Sequence, residues 1–159
     1  MNNLEKKVEA MMRLCVAENE KDQSKIREEI RQYLIHFDPG KMDPEQEIRR
    51  ILLELGAPDH LVGHPYVIRA ILLAMEDRQY INSITFGLYP RLALEFDTTP
   101  ARVERAIRHL IEVTWCRGEL DVIERYFGNT ISASRGKPTN GEFIARMANV
   151  VKVNIQRAA

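Results

Sequence analysis

The chain has 159 residues, 45% hydrophobic and 29% charged, with a formal net charge of zero, which is the composition of a globular domain carrying a small appendage. No apolar run is long enough to span a bilayer, and the opening Met1-Asn2-Asn3-Leu4-Glu5-Lys6-Lys7 is too polar for a secretory signal, so a cytoplasmic location and no membrane partner are expected. The zero balance conceals a gradient: residues 1–82 hold 12 basic and 15 acidic side chains, and residues 83–159 hold 11 and 8. A basic C-terminal half suits contact with a polyanion.

Taken in chain order, the segments show helical periodicity and no strand-like alternation, so the expected fold class is all-α. Leu4, Val8, Met11, Met12 and Cys15 recur at spacings of three and four, and Ile26, Ile30, Tyr33, Leu34 and Phe37 repeat the pattern. Residues 4–37 are therefore expected to form a helical hairpin. Asp38-Pro39-Gly40-Lys41 then breaks the chain, dividing an extension, residues 1–40, from a domain over residues 41–159.

In that domain Asp43 is the expected N-cap of a first helix, with Pro44 at its first position and Gln46 completing a weak capping box. This helix should bury Ile48, Ile51, Leu52 and Leu55 and stop at Gly56. A second starts near Pro65 and carries Val67, Ile68, Ile71, Leu72 and Met75, apolar enough for a core helix. Short helices are expected around Ser83–Leu88 and Pro90–Phe96, a long one over Pro100–Arg117 stopped by Gly118, and another over about Glu119–Phe127. After the polar stretch Gly128–Pro138, Thr139 and Glu142 have the spacing of a capping box for the last helix.

Residues 88–117 read as a helix-turn-helix. Val103, Ile107, Leu110 and Thr114 form the inward stripe of the long helix, widened by Ala106 and Ile111. Its outward face carries Ala101, Arg105, Arg108, His109 and Glu112, flanked by Arg102 and Glu104. Arginine offers a two-pronged donor matching guanine O6 and N7, and glutamate can accept from the cytosine amino group. Thr98 and Thr99, with the amides at the helix start, can grip phosphate and fix the register. The plainer alternative is a solvated face laced with ion pairs, which the same spacing also makes.

Other chemistry finds little support. Cys15 and Cys116 share no CxxC spacing and should stay reduced. His60 and His64 are four apart in a stretch that reads as loop, with no third ligand, so no metal is expected. No paired carboxylates, Gly-rich phosphate loop or nucleophile elbow is present, so neither catalysis nor a cofactor is expected. Trp115 is most simply a core or interface aromatic.

The runs Ser83-Ile84-Thr85, Leu88-Tyr89-Pro90, Arg102-Val103-Glu104-Arg105-Ala106-Ile107-Arg108-His109, Ile111-Glu112-Val113, Trp115, Arg117-Gly118, Lys137-Pro138-Thr139-Asn140 and Glu142-Phe143-Ile144 carry a resemblance. They resemble the C-terminal effector domain of the stage-zero sporulation regulator family of endospore-forming bacteria, from about Pro44 to Val151. The resemblance implies a compact six-helix domain that binds double-stranded DNA at a box with a GTCG-like core, often in tandem head-to-tail copies. By motif position, Arg102, Glu104, Arg105, Arg108 and His109 would face bases or groove walls. Ser132, Ser134, Arg135 and Lys137 would touch the DNA backbone. The family's full-length member also has a phosphoacceptor receiver, which needs on the order of 100 residues of α/β structure. The roughly 43 residues ahead of the effector region read as two helices, so phosphorylation control in cis is not expected.

Two functions are thus in view. One is a sequence-specific transcription regulator, dimerised through the N-terminal hairpin or through tandem effector contacts. The other is an interaction protein that binds and modulates a full-length regulator, with DNA binding weakened or lost.

Overall fold

Each apolar stripe of the domain becomes a helix in the computed structural model, which describes residues 13, 23–28, 42–128 and 136–159. The helices are α1 (Pro44–Glu54), α2 (Gly63–Glu76), α3 (Gln79–Asn82), α4 (Tyr89–Glu95), α5 (Pro100–Arg117), α6 (Leu120–Phe127) and α7 (Asn140–Ala158), with a π-helical turn at Ile84–Leu88. There is no strand among the described residues. Asp43–Arg157 make one compact unit, and residues up to Met42 group separately with Ala158–Ala159. Residues 13 and 23–28 are helical; the rest of the expected hairpin, and the breaker at 38–41, lie outside the described residues.

The core is drawn from every long helix. Ile48, Ile51 and Leu52 of α1, Val67 and Ile71 of α2, Leu92 of α4, and Val103, Ile107 and Leu110 of α5 are fully buried. Such aliphatic side chains contribute about 1.5–3 kcal/mol each relative to exposure. Phe127 of α6 stacks on Phe143 of α7 with centroids 5.2 Å apart. Trp115 meets Phe127 edge-on at 5.1 Å, a partly buried aromatic that packs on the core and joins α5 to α6 and α7.

Local chemistry sets the helix ends. Asp43 caps α1 by accepting from the Glu45 amide at 3.1 Å. The capping box expected with Gln46 does not form, because the carboxylate takes the nearer amide. At the other end Gly56 has φ +76°, and the amides of Gly56 and Ala57 return to the carbonyls of Leu53 and Leu52, a Schellman closure. Helix α7 has the reciprocal capping box anticipated for it: Thr139 Oγ1 accepts from the Glu142 amide and Glu142 Oε2 accepts from the Thr139 amide.

Helix α2, expected to start near Pro65, begins at Gly63, and its first turn lies directly on α5. A Cβ built on Gly63 would overlap the carbonyl oxygen of Ala106. The helix expected at Ser83–Leu88 is a π-turn instead. The Leu88 amide reaches back five residues to the Ser83 carbonyl at 3.1 Å, and the added residue turns both Leu88 and Tyr89 into the core while leaving Phe86 89% exposed.

A polar cluster joins α1, α6 and α7. Glu47 is buried, and its carboxylate accepts from Arg50 at 2.7 Å and from Asn154 Nδ2 at 2.7 Å. Arg50 also pairs with Glu54, whose other oxygen accepts from the Tyr126 hydroxyl at 2.5 Å. These bonds satisfy the buried carboxylate, as burial of a charge requires.

Candidate nucleic-acid interface

The interface is built on α4, a tight turn and α5. The turn closes left-handed: Asp97 has φ 48°, and the Thr98 amide returns to the Ala93 carbonyl at 2.9 Å. Such a φ is uncommon outside glycine, and aspartate is among the residues that best tolerate it. Thr99 then caps α5 by accepting from the Arg102 amide at 3.3 Å, with Pro100 in the first turn. Helix α2 holds the pair in place. Its Tyr66 ring packs on Phe96 at 4.7 Å. Its Arg69 grips both oxygens of Glu95, at 2.7 and 3.1 Å, while Arg91 adds a third bond to that carboxylate at 2.9 Å. The two arginines hold the Glu95 carboxyl below the usual carboxylate range, Arg69 having the larger effect.

On the outward side of α5, Arg102, Arg105, Arg108 and His109 are exposed and Glu104 is half-buried. Their states differ. Arg102 and Arg105 make no side-chain hydrogen bond or ion pair among the described residues. Arg108 is paired with Glu104 one turn earlier. Glu104 is therefore already the partner of an arginine in the free protein.

The amides at the start of α5 offer less to a phosphate than their position implied. Those of Thr98, Arg102 and Val103 are engaged and Pro100 has none. That leaves the amides of Thr99 and Ala101 without a partner among the described residues. Thr98 is half-buried and Thr99 exposed. Ser132, Ser134 and Arg135 lie outside the described residues.

Lys137 is exposed, but its ammonium is bound to Glu112 Oε1 at 2.6 Å. Three residues on, Asn140 Nδ2 donates both to the Tyr89 hydroxyl at 2.9 Å and to the Glu104 carbonyl at 3.1 Å. The start of α7 is thus pinned to α4 and α5 at once. A cavity of about 540 Å³ opens beside these bonds, lined by Thr85, Tyr89, Arg108, Glu112, Lys137 and Asn140 among others. Nothing in the sequence alone marks Asn140, Tyr89 or Arg69 for a role. Asn140 and Tyr89 stand within the runs Lys137-Pro138-Thr139-Asn140 and Leu88-Tyr89-Pro90, whereas the Arg69–Glu95 pairing spans 26 residues and leaves no local signal.

Elsewhere, His64 is buried in the first turn of α2, not in a loop, and no group of three or more His, Cys, Asp or Glu among the described residues could hold a metal ion. Cys116 is a free, exposed thiol. No helix among the described residues is long and apolar enough to cross a membrane.

A short helix, a left-handed turn and a long helix with an exposed cationic face, set on an all-α core, define a helix-turn-helix domain of the kind that docks on duplex DNA. Residues 48–151 match the family described as Sporulation initiation factor Spo0A C terminal, and the chain belongs to that family. It therefore carries a DNA-binding effector domain of the sporulation regulator family, a regulatory class.

Proposed function

We propose that the chain is a sequence-specific transcription regulator that lays α5 in the major groove. Arg105 and Arg102 read base edges there, and Arg108, Glu104 and His109 shape the groove contact. The observation that carries the reading is the state of Arg102 and Arg105: exposed, unengaged among the described residues, and on the half of the helix nearest the turn. A guanidinium without an ion-pair partner gives up hydration and side-chain freedom when it binds guanine, but breaks no bond within the described residues. Thr98, Thr99 and Lys137, with Ser132, Ser134 and Arg135, are assigned to the sugar-phosphate backbone, the GTCG-like box of the family being the expected site. Self-association is assigned to residues 1–40 or to contacts between effector domains on tandem boxes. Sedimentation of the chain with and without residues 1–40 separates the two.

Readers and positioners should respond differently to substitution. In a mobility-shift titration against the box and a scrambled duplex, Arg105→Ala is expected to lower the preference for the box by the equivalent of about 1–3 kcal/mol. Lys137→Ala should weaken binding to both duplexes, costing less of the box preference than Arg105→Ala does, and flatten the dependence of log affinity for the box on log salt by about one phosphate contact. Identical behaviour of the two variants would contradict this division of roles.

A further inference from the structure

We propose that Glu112 is a specificity-determining residue of the DNA-binding face, which acts by holding Lys137 away from phosphate in the free protein. The proposal rests on the reading of Lys137 as a backbone contact and deepens it.

The geometry behind it is a row on the outer side of α5. Glu104, Arg108 and Glu112 follow one another at four-residue spacing, and Lys137 joins the row from the segment before α7. Glu104 neutralises Arg108, and Glu112 neutralises Lys137 at 2.6 Å. The hydrogen bond from Lys137 holds the Glu112 carboxyl below the usual carboxylate range, and His109 and Arg108 add to that shift. The pairing has a fixed base, because Asn140 anchors the same segment to Tyr89 and to the Glu104 carbonyl three residues away.

The consequence is a division along α5. Arg102 and Arg105, near the turn, make no ion pair among the described residues, whereas Arg108 and Lys137 already have carboxylate partners. Sequence-independent affinity grows with the number of phosphates a protein neutralises. A lysine held by a carboxylate contributes to that number only after it exchanges partners. A duplex in correct register can present a phosphate to Lys137 and draw it off Glu112, but a misregistered duplex leaves the pair closed. Glu112 thereby suppresses non-specific binding more than specific binding. Both side chains of the pair are over two-fifths exposed, so the exchange corresponds to a modest factor, about two- to fivefold.

The test uses Glu112→Gln, which keeps the shape and removes the charge, in the full chain. Two readouts are taken: elution from immobilised heparin in a salt gradient, and dissociation constants for the box and a scrambled duplex. Glu112→Gln is expected to elute at higher salt than wild type. It should also bind scrambled duplex about two- to fivefold more tightly, with a smaller gain on the box. In a Lys137→Gln background the same substitution should bring no gain. Unchanged elution of Glu112→Gln would overturn the proposal. So would a gain that persists without Lys137, since the carboxylate would then act by simple repulsion of phosphate. Heparin retention reports the freedom of Lys137 whether or not the protein distinguishes sequences. A wild type without box preference therefore counts against the regulator reading and with it the role in specificity, whereas unchanged elution counts against the Glu112–Lys137 device alone.

Discussion

Asp97 shows how much of the interface depends on single positions. Its φ of 48° lets the chain reverse between α4 and α5 while the Thr98 amide closes on Ala93. A β-branched side chain there meets the full steric cost of the left-handed conformation, whereas glycine meets none. Asp97→Val is expected to be about 1–2 kcal/mol less stable than Asp97→Gly in urea unfolding, and equal midpoints would contradict the turn described. Much of the residue-scale detail was legible beforehand. Thr99, Thr139 and Glu142 announce helix starts through bonds to amides three residues away, and Pro100 through its fixed φ, all of which spacing and residue type alone reveal. The engagement of Lys137 by Glu112 was not legible, because nothing local to either residue encodes a bond across 25 positions.

Among the elements, α2 decides where α5 lies. Gly63 allows its first turn to touch the backbone of α5 at Ala106, Tyr66 holds Phe96 in the turn, and Arg69 holds Glu95 at the end of α4. One helix thus fixes both halves of the motif. Gly63→Ala puts a methyl group where the Ala106 carbonyl already sits, and a loss of about 1–3 kcal/mol is expected from chemical denaturation. Because the displaced element is α5 itself, affinity for the box should fall as well. A variant with wild-type stability and affinity would show that the approach is not close. Periodicity located α1, α2 and α5 well, since long amphipathic helices repeat their signal over several turns. The π-turn escaped it: a single inserted residue resets the phase of Leu88 and Tyr89 without altering composition. Glycine at position 63 likewise reads as punctuation in a sequence and as a contact only in three dimensions.

At the scale of the whole molecule, charge couples stability to pH. Arg50, and to a smaller extent Asn154, hold the buried Glu47 carboxyl below its ordinary value of 4.5, and Arg69 does the same for Glu95. A carboxylate with a depressed folded-state pKa stabilises the fold above its unfolded pKa, and that contribution is lost as pH falls through the folded value. His64 acts in the same sense: burial, reinforced by Arg49, lowers its pKa from 6.5, so acid must charge it against the fold. Stability should therefore begin to decline below about pH 6.5 and fall more steeply below about pH 4.5. Glu47→Gln should be less stable than wild type at neutral pH, and the gap should narrow as acid is added. A gap that stayed constant with pH would place the stabilisation elsewhere than in the charge of Glu47.

The same bookkeeping of charge governs DNA. A net charge of zero makes non-specific attraction weak, and under the proposed function the arginines near the turn, unengaged among the described residues, supply preference through direct contact. The most direct test is the ratio of dissociation constants for the family's box and for a scrambled duplex of equal length, measured for the whole chain at two salt concentrations. The predicted result is a marked preference for the box at both, with affinity for each duplex falling as salt rises and the preference largely kept, because base contacts release few counterions. Equal affinity for the two duplexes at low salt would contradict the assignment of α5 as a reading helix.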